Sequence, residues 1–175
     1  MADTVEALSR ADDATLDLIK RDADAFLAAQ LTVALAGNQR AMTFFGFLAT
    51  ASGVIGGASI AALATDAPSA PFAWSGLVTV AGFLLSMFMA NSAAMPDSFS
   101  YVGNDPEGWA EDVMEKKPLS VSKAEALADS SRCIGRNQAV LHHSARMTKL
   151  AVWTAWGSLV AGAVAVAVTA GLLLP

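Results

Sequence analysis

Residues 41–64 of this chain read AMTFFGFLATASGVIGGASIAALA and contain no charged side chain. Two further runs, residues 72–94 and 150–174, are equally free of charge. Each run exceeds the roughly 18 apolar residues that a helix needs to cross a bilayer. We therefore predict an all-α fold, an integral membrane protein with three transmembrane helices.

If these three runs cross a membrane, the 11 Lys and Arg residues all lie on the same side of it. They precede the first run or fall between the second and third, and residues 65–71 contain none. Because basic residues near the spans are retained on the cytoplasmic side, we expect a multi-pass protein of a bacterial inner membrane. Its N-terminus would be cytoplasmic and its C-terminus periplasmic. The net charge of −5 does not oppose this, since the rule counts Lys and Arg rather than net charge.

Composition and motifs exclude several functions. The acidic balance argues against nucleic-acid binding, and no ionisable residue lies inside a span, which argues against ion-coupled transport. A single cysteine, Cys133, excludes an intramolecular disulfide. We find no phosphate loop, no metal-ligand spacing and no nucleophile–base pair, and we expect no catalytic residue, no cofactor and no metal. We also expect no signal peptide.

Two polar segments carry a heptad-like pattern that is typical of a coiled coil. In the first, the pattern includes Phe26, Gln30 and Val33, and Asp12 or Asp13 would cap the helix. In the second, it includes Ile134, Gln138 and Leu141, and Ser120 or Ser122 would be the cap. No proline separates either segment from the span that follows, so we expect each helix to continue into the membrane, although Gly37 and Asn38 leave a kink open. The alternative for the first segment is an amphipathic helix lying on the membrane surface.

The first and third spans each carry small residues at four-residue intervals. In the first span these are Ala49, Gly53, Gly57 and Ala61, and in the third they include Gly157 and Ala161. Small residues at this spacing let two helix backbones approach closely. We expect spans one and three to pack together through these stripes, with span two outside them. The alternative is a contact between subunits.

These features divide the chain into six segments. They are a cytoplasmic amphipathic helical arm (1–40), transmembrane helix 1 (41–64), an outer turn (65–71), transmembrane helix 2 (72–94), a cytoplasmic loop (95–149) with an amphipathic helix at 120–149, and transmembrane helix 3 (150–174). Within the loop, a short helix is predicted to start at Pro106–Glu107–Gly108–Trp109 and to end near Lys116. The aromatics of this loop would pack on neighbouring helices, or would form a docking loop for a partner or ligand that includes Tyr101, Asn104 and Trp109.

The segment YVGNDPEGW at residues 101–109, followed by an amphipathic helix and a last span, is similar to segments of small bacterial membrane proteins. The layout resembles the SLATT and Pycsar-type transmembrane effectors of anti-phage systems. This resemblance implies an oligomeric protein that perturbs the inner membrane, but the third span departs from the simplest two-span pattern. No functional residue is carried over.

We therefore expect a non-enzymatic inner-membrane protein whose partners are the lipid bilayer and either further copies of itself or another membrane protein. It would self-associate or serve as a subunit or scaffold of a membrane complex. One alternative is a pore-forming or membrane-disrupting effector, holin-like or part of anti-phage defence. Another is an accessory subunit of a respiratory or photosynthetic complex.

Overall fold

A computed structural model describes residues 2–65, 70–95, 99–101, 103 and 107–173. Across these residues it contains helices and no strand. The helices are α1 (Ala2–Ser9), α2 (Asp13–Ala64), α3 (Ala70–Ala94), α4 (Glu107–Met114) and α5 (Leu119–Leu173). The all-α class is confirmed, and α2, α3 and α5 are each long and apolar enough to cross a membrane. Residues 66–69 of the predicted outer turn (65–71) lie outside the described residues, as does Asn104 of the predicted docking loop.

The two long helices run without interruption from polar sequence into apolar sequence. Because neither contains an internal proline, no backbone donor is lost along its length. α2 passes helically through Gly37 and Asn38, so the helix does not end there. The predicted cap is confirmed at Asp12, where Oδ1 accepts a hydrogen bond from the backbone N of Thr15 at 3.1 Å.

Two details of the polar segments differ from the prediction. α1 was not predicted as a separate helix, and it ends at Ser9 before α2 begins. α5 begins at Leu119, where the carbonyl of Pro118 accepts hydrogen bonds from the backbone N atoms of Val121 and Ser122. Ser122 is buried in the structure and its hydroxyl pairs with Asp112, so it is not the cap.

The chain divides into two compact units, which we name the polar unit (Met1–Leu35 and Pro96–His142) and the apolar unit (Ala36–Met95 and His143–Pro175). In the polar unit, α2 and α5 bury one face each. The buried apolar residues of that pair are Leu16, Leu27, Ala124, Leu127 and Ala128.

The core of the apolar unit contains one buried residue from each of its three helices: Leu48 of α2, Phe83 of α3 and Ala155 of α5. A Cβ atom added to Gly82 of α3 would meet the Ser158 side chain of α5, and one added to Gly76 would meet the Ser59 side chain of α2. α3 therefore packs closely against both α2 and α5.

The expected stripe-to-stripe packing, with span two outside, is wrong. A Cβ atom added at Gly53, Gly57 or Gly157 would have no neighbouring atom within 4 Å, so these glycines do not bring helices together within the chain. The close approaches involve other small residues, because hydroxyl side chains of Ser and Thr fill the space opposite Gly76, Gly82 and Gly162.

Candidate functional site

The residues of the two heptad-like patterns form a predicted seam, and the part of it on α2 (Phe26, Gln30 and Val33) is only partly buried within the chain. Gln30 is 7% exposed, and its Nε2 donates a hydrogen bond to the backbone O of Ile134 at 3.1 Å. Phe26 and Val33 are 53% and 59% exposed, whereas Leu27 is buried. Leu27 rather than Phe26 therefore lies on the contact face of α2, and no described part of the polar unit covers the side of the helix that carries Phe26 and Val33.

The α5 part of the seam is also displaced by one residue, but in the opposite direction along the chain. Ile134 and Leu141 are half-buried, but Gln138 is exposed. The buried amide is its neighbour Asn137, which is 0% exposed. Asn137 binds the backbone of Ser100 through both amide atoms, at 2.8 Å and 2.9 Å. Sequence reasoning missed Asn137, because two adjacent amides on a helix carry no signal that separates the inward one from the outward one.

The predicted docking loop contributes one aromatic side chain to a cavity of about 90 Å³ in the polar unit. Trp109 of α4 is half-buried and lines this cavity, whereas Tyr101 is 72% exposed and does not. α4 forms where it was predicted and ends in a backbone reversal at Lys116, whose φ is 53°. The cavity is lined by Leu16, Asp17, Lys20, Asp24, Gly103, Trp109, Lys123, Ala126, Leu127 and Ser130.

Ion pairs tie α5 to both neighbouring helices of the polar unit. Lys123 Nζ lies 2.8 Å from Asp17 Oδ1 and 3.3 Å from Asp13 Oδ1, and the hydrogen bond to Asp17 is the main reason that the pKa of Lys123 is raised. Lys117 Nζ binds Glu125 and lies 3.3 Å from Asp112 Oδ1. The hydrogen bond to Glu125 raises the pKa of Lys117, and the hydrogen bond with Ser122 lowers the pKa of Asp112.

The small-residue stripe of α2 lies open in the apolar unit. Ala49 is half-buried, and Gly53, Gly57 and Ala61 are exposed. The neighbouring Gly56 is buried, and a Cβ added there would contact Val80 at 3.7 Å. In α5, Gly157 and Ala161 are likewise exposed, so both predicted stripes face away from the packed interior of this unit.

Comparison with known proteins adds no assignment: no protein-family description, no curated protein and no solved structure matches this chain.

Proposed function

We propose that this chain is a non-enzymatic, multi-pass protein of a bacterial inner membrane that associates with further copies of itself. The single observation that carries the proposal is the open stripe Ala49–Gly53–Gly57–Ala61. Glycine in a helix interior costs roughly 0.5–1 kcal/mol relative to alanine. Gly82 and Gly162 have an explanation within the chain, since a Cβ there would collide with Ser158 or Thr79. Gly53 and Gly57 have none.

In a bilayer, a face of small residues supports a close helix–helix contact, because lipid offers no hydrophobic driving force and packing must supply the attraction. A second copy presents the same face, and the commonest soluble assemblies pair identical patches about a two-fold axis. Bulkier side chains flank the stripe: Val54 and Ile60 are 69% and 63% exposed. In a pair of α2 helices, these two side chains would pack around the point where the two backbones cross. α2 helices are thus proposed to pair across Gly53 and Gly57.

The proposed orientation places the polar unit in the cytoplasm and puts all 11 basic residues of the chain on the cytoplasmic side of the membrane. The exposed Phe26 and Val33 of α2 would then lie in water. Apolar side chains exposed together on a helix mark contact surfaces. They offer a second surface for association, outside the bilayer.

The test is the oligomeric state of the full chain, extracted in mild detergent and weighed by native mass spectrometry. Gly53→Leu with Gly57→Leu fills the proposed crossing and is expected to convert the oligomer to monomer. The matched control is Val78→Leu with Ala81→Leu, which adds volume to two exposed positions of α3, outside the proposed α2 contact, and is expected to leave the oligomer intact. An unchanged oligomer in the stripe variant, or equal dissociation in the control, would contradict the proposal.

Native mass spectrometry, together with a leakage assay, distinguishes self-association from the two alternative functions. An accessory subunit of a larger complex would appear as a monomer bound to unrelated membrane proteins. A pore-forming effector would be oligomeric too, and dye leakage from vesicles that contain the purified protein would identify it.

A further inference from the structure

The cavity at Trp109 has an apolar floor and a charged rim. Leu16 and Leu127 are buried at 1% and 6% exposure and supply the floor, and Trp109 contributes an aromatic wall. Charged side chains from α2 and α5 complete the lining. An apolar pocket with a few polar groups is the usual form of a small-molecule site.

The charges on the rim fall into two groups. Asp17 and Lys123 neutralise each other at 2.8 Å. Lys20 and Asp24 also line the cavity, yet neither forms an ion pair with any residue that the structure describes. Within the part of the chain that the structure describes, the cavity rim therefore carries one cation, the exposed Lys20, and one anion, the half-buried Asp24, that are outside any ion pair.

Spacing brings these two charges together. Residues four apart on a helix lie on the same face, with about 5–6 Å between their Cβ atoms. A ligand that pairs with both Lys20 and Asp24 needs a carboxylate and an ammonium group close together, as when both are attached to one carbon atom. A free α-amino acid has this arrangement.

Volume limits the rest of the ligand. A volume of about 90 Å³ is smaller than the roughly 150 Å³ apolar cavity that takes up benzene. The buried group is therefore smaller than an aromatic ring, and a short branched aliphatic chain fits the contact with Leu16, Leu127 and Trp109.

We propose that this cavity binds a small aliphatic amino acid as a zwitterion. Its ammonium group pairs with Asp24, its carboxylate pairs with Lys20, and its side chain enters the apolar floor beside Trp109. The proposal goes beyond self-association and does not depend on it, because every residue involved lies in the polar unit.

The test uses the full chain in mild detergent and isothermal titration calorimetry with three probes of nearly equal shape. Valine carries both charges, isobutylamine carries only the ammonium group, and isovaleric acid carries only the carboxylate. Valine is expected to bind at least about tenfold more tightly than either of the others, which corresponds to about 1.4 kcal/mol. Absence of valine binding, or equal binding of isobutylamine and valine, would overturn the proposal.

Variants test the two assigned charges. Asp24→Asn and Lys20→Gln are each expected to weaken valine binding about tenfold or more. The controls Asp22→Asn and Arg21→Gln make the same charge changes at exposed positions of the same helix that do not line the cavity, and they are expected to leave the affinity within about twofold. Thermal melting of each variant, followed by circular dichroism, separates loss of binding from loss of fold. Equal weakening by the controls would refute the assignment.

Discussion

The side-chain amide of Asn137 holds both backbone polar groups of Ser100. Ser100 N donates to Asn137 Oδ1 at 2.8 Å, and Asn137 Nδ2 donates to Ser100 O at 2.9 Å. Asn137 has no exposed surface, so water cannot replace these bonds. One side chain of α5 thereby attaches the segment around Ser100, which precedes α4, to the helix.

Asn137→Ala is expected to destabilise the polar unit by about 1–3 kcal/mol, because both backbone groups of Ser100 lose a buried partner. Hydrogen exchange measured by mass spectrometry should be faster in the peptide that contains Ser100. The control is Gln138→Ala, an adjacent exposed amide whose removal is expected to change stability by no more than about 0.5 kcal/mol. Faster exchange in both variants would contradict this role for Asn137.

Gln30→Leu is expected to be neutral or stabilising by up to about 1 kcal/mol, although Gln30 is buried. Its Nε2 donates to the Ile134 carbonyl, but its Oε1 is buried and has no hydrogen-bond partner among the residues that the structure describes. Replacement by an apolar residue of similar size removes an unsatisfied acceptor together with a modest hydrogen bond. Thermal melting of the full chain measures the change, with Gln39→Leu at an exposed position as the control. A loss of more than 1 kcal/mol would show that Oε1 has a partner in the assembled protein.

Gly82→Ala is expected to destabilise the apolar unit by about 1–3 kcal/mol. A Cβ atom at Gly82 would lie 2.6 Å from Ser158 Cβ, and the short serine side chain cannot move away without a shift of its helix. The control is Gly46→Ala, where an added Cβ meets no atom within 4 Å. Resistance to unfolding by denaturing detergent compares the two variants. Equal resistance would contradict the close approach of α3 and α5.

Lowering the pH is expected to destabilise α4, because the Asp112 carboxylate becomes protonated. The hydrogen bond with Ser122 is the main cause of its lowered pKa, and Lys117 adds to the effect. Because the folded pKa lies below the unfolded value of about 3.9, the stabilisation by this carboxylate is fully present above about pH 3.9. It is lost as the pH falls through the folded pKa.

Trp109 lies on α4 and reports this loss in a variant whose other tryptophans, Trp74, Trp153 and Trp156, are replaced by phenylalanine. Its emission should shift below about pH 4. Asp112→Asn removes the titrating group and should abolish that part of the shift. A transition that is identical in the Asp112→Asn variant would assign it to another carboxylate.

Much of the secondary structure could be predicted from local sequence. Three charge-free runs predicted the three helices that are apolar enough to cross a membrane. Asp12 predicted the start of α2, and the absence of proline predicted the continuity of α2 and α5. These features depend on length, hydropathy and backbone donors, all of which are properties of neighbouring residues.

The rotation of each helix about its axis could not be predicted in the same way. The pattern placed Phe26 in the seam, but Leu27 is the buried residue, and it placed Gln138 there, but Asn137 is buried. A shift of one residue turns a helix by about 100°, since a turn contains 3.6 residues. Sequences such as Phe26–Leu27 and Asn137–Gln138 offer similar side chains at both positions, so their order alone does not distinguish the two faces.

By itself the sequence determined the number, length and apolar character of the helices, because helix formation and hydrophobicity follow from local composition. Only the tertiary structure decided which small residues are used inside the chain and which charges remain unpaired. Gly82 contacts Ser158 while Gly53 lies open. Asp17 forms an ion pair with Lys123, whereas Lys20 and Asp24 form none with the described residues. Each of these distinctions depends on atoms that are distant in sequence, and their positions are set by how the helices pack.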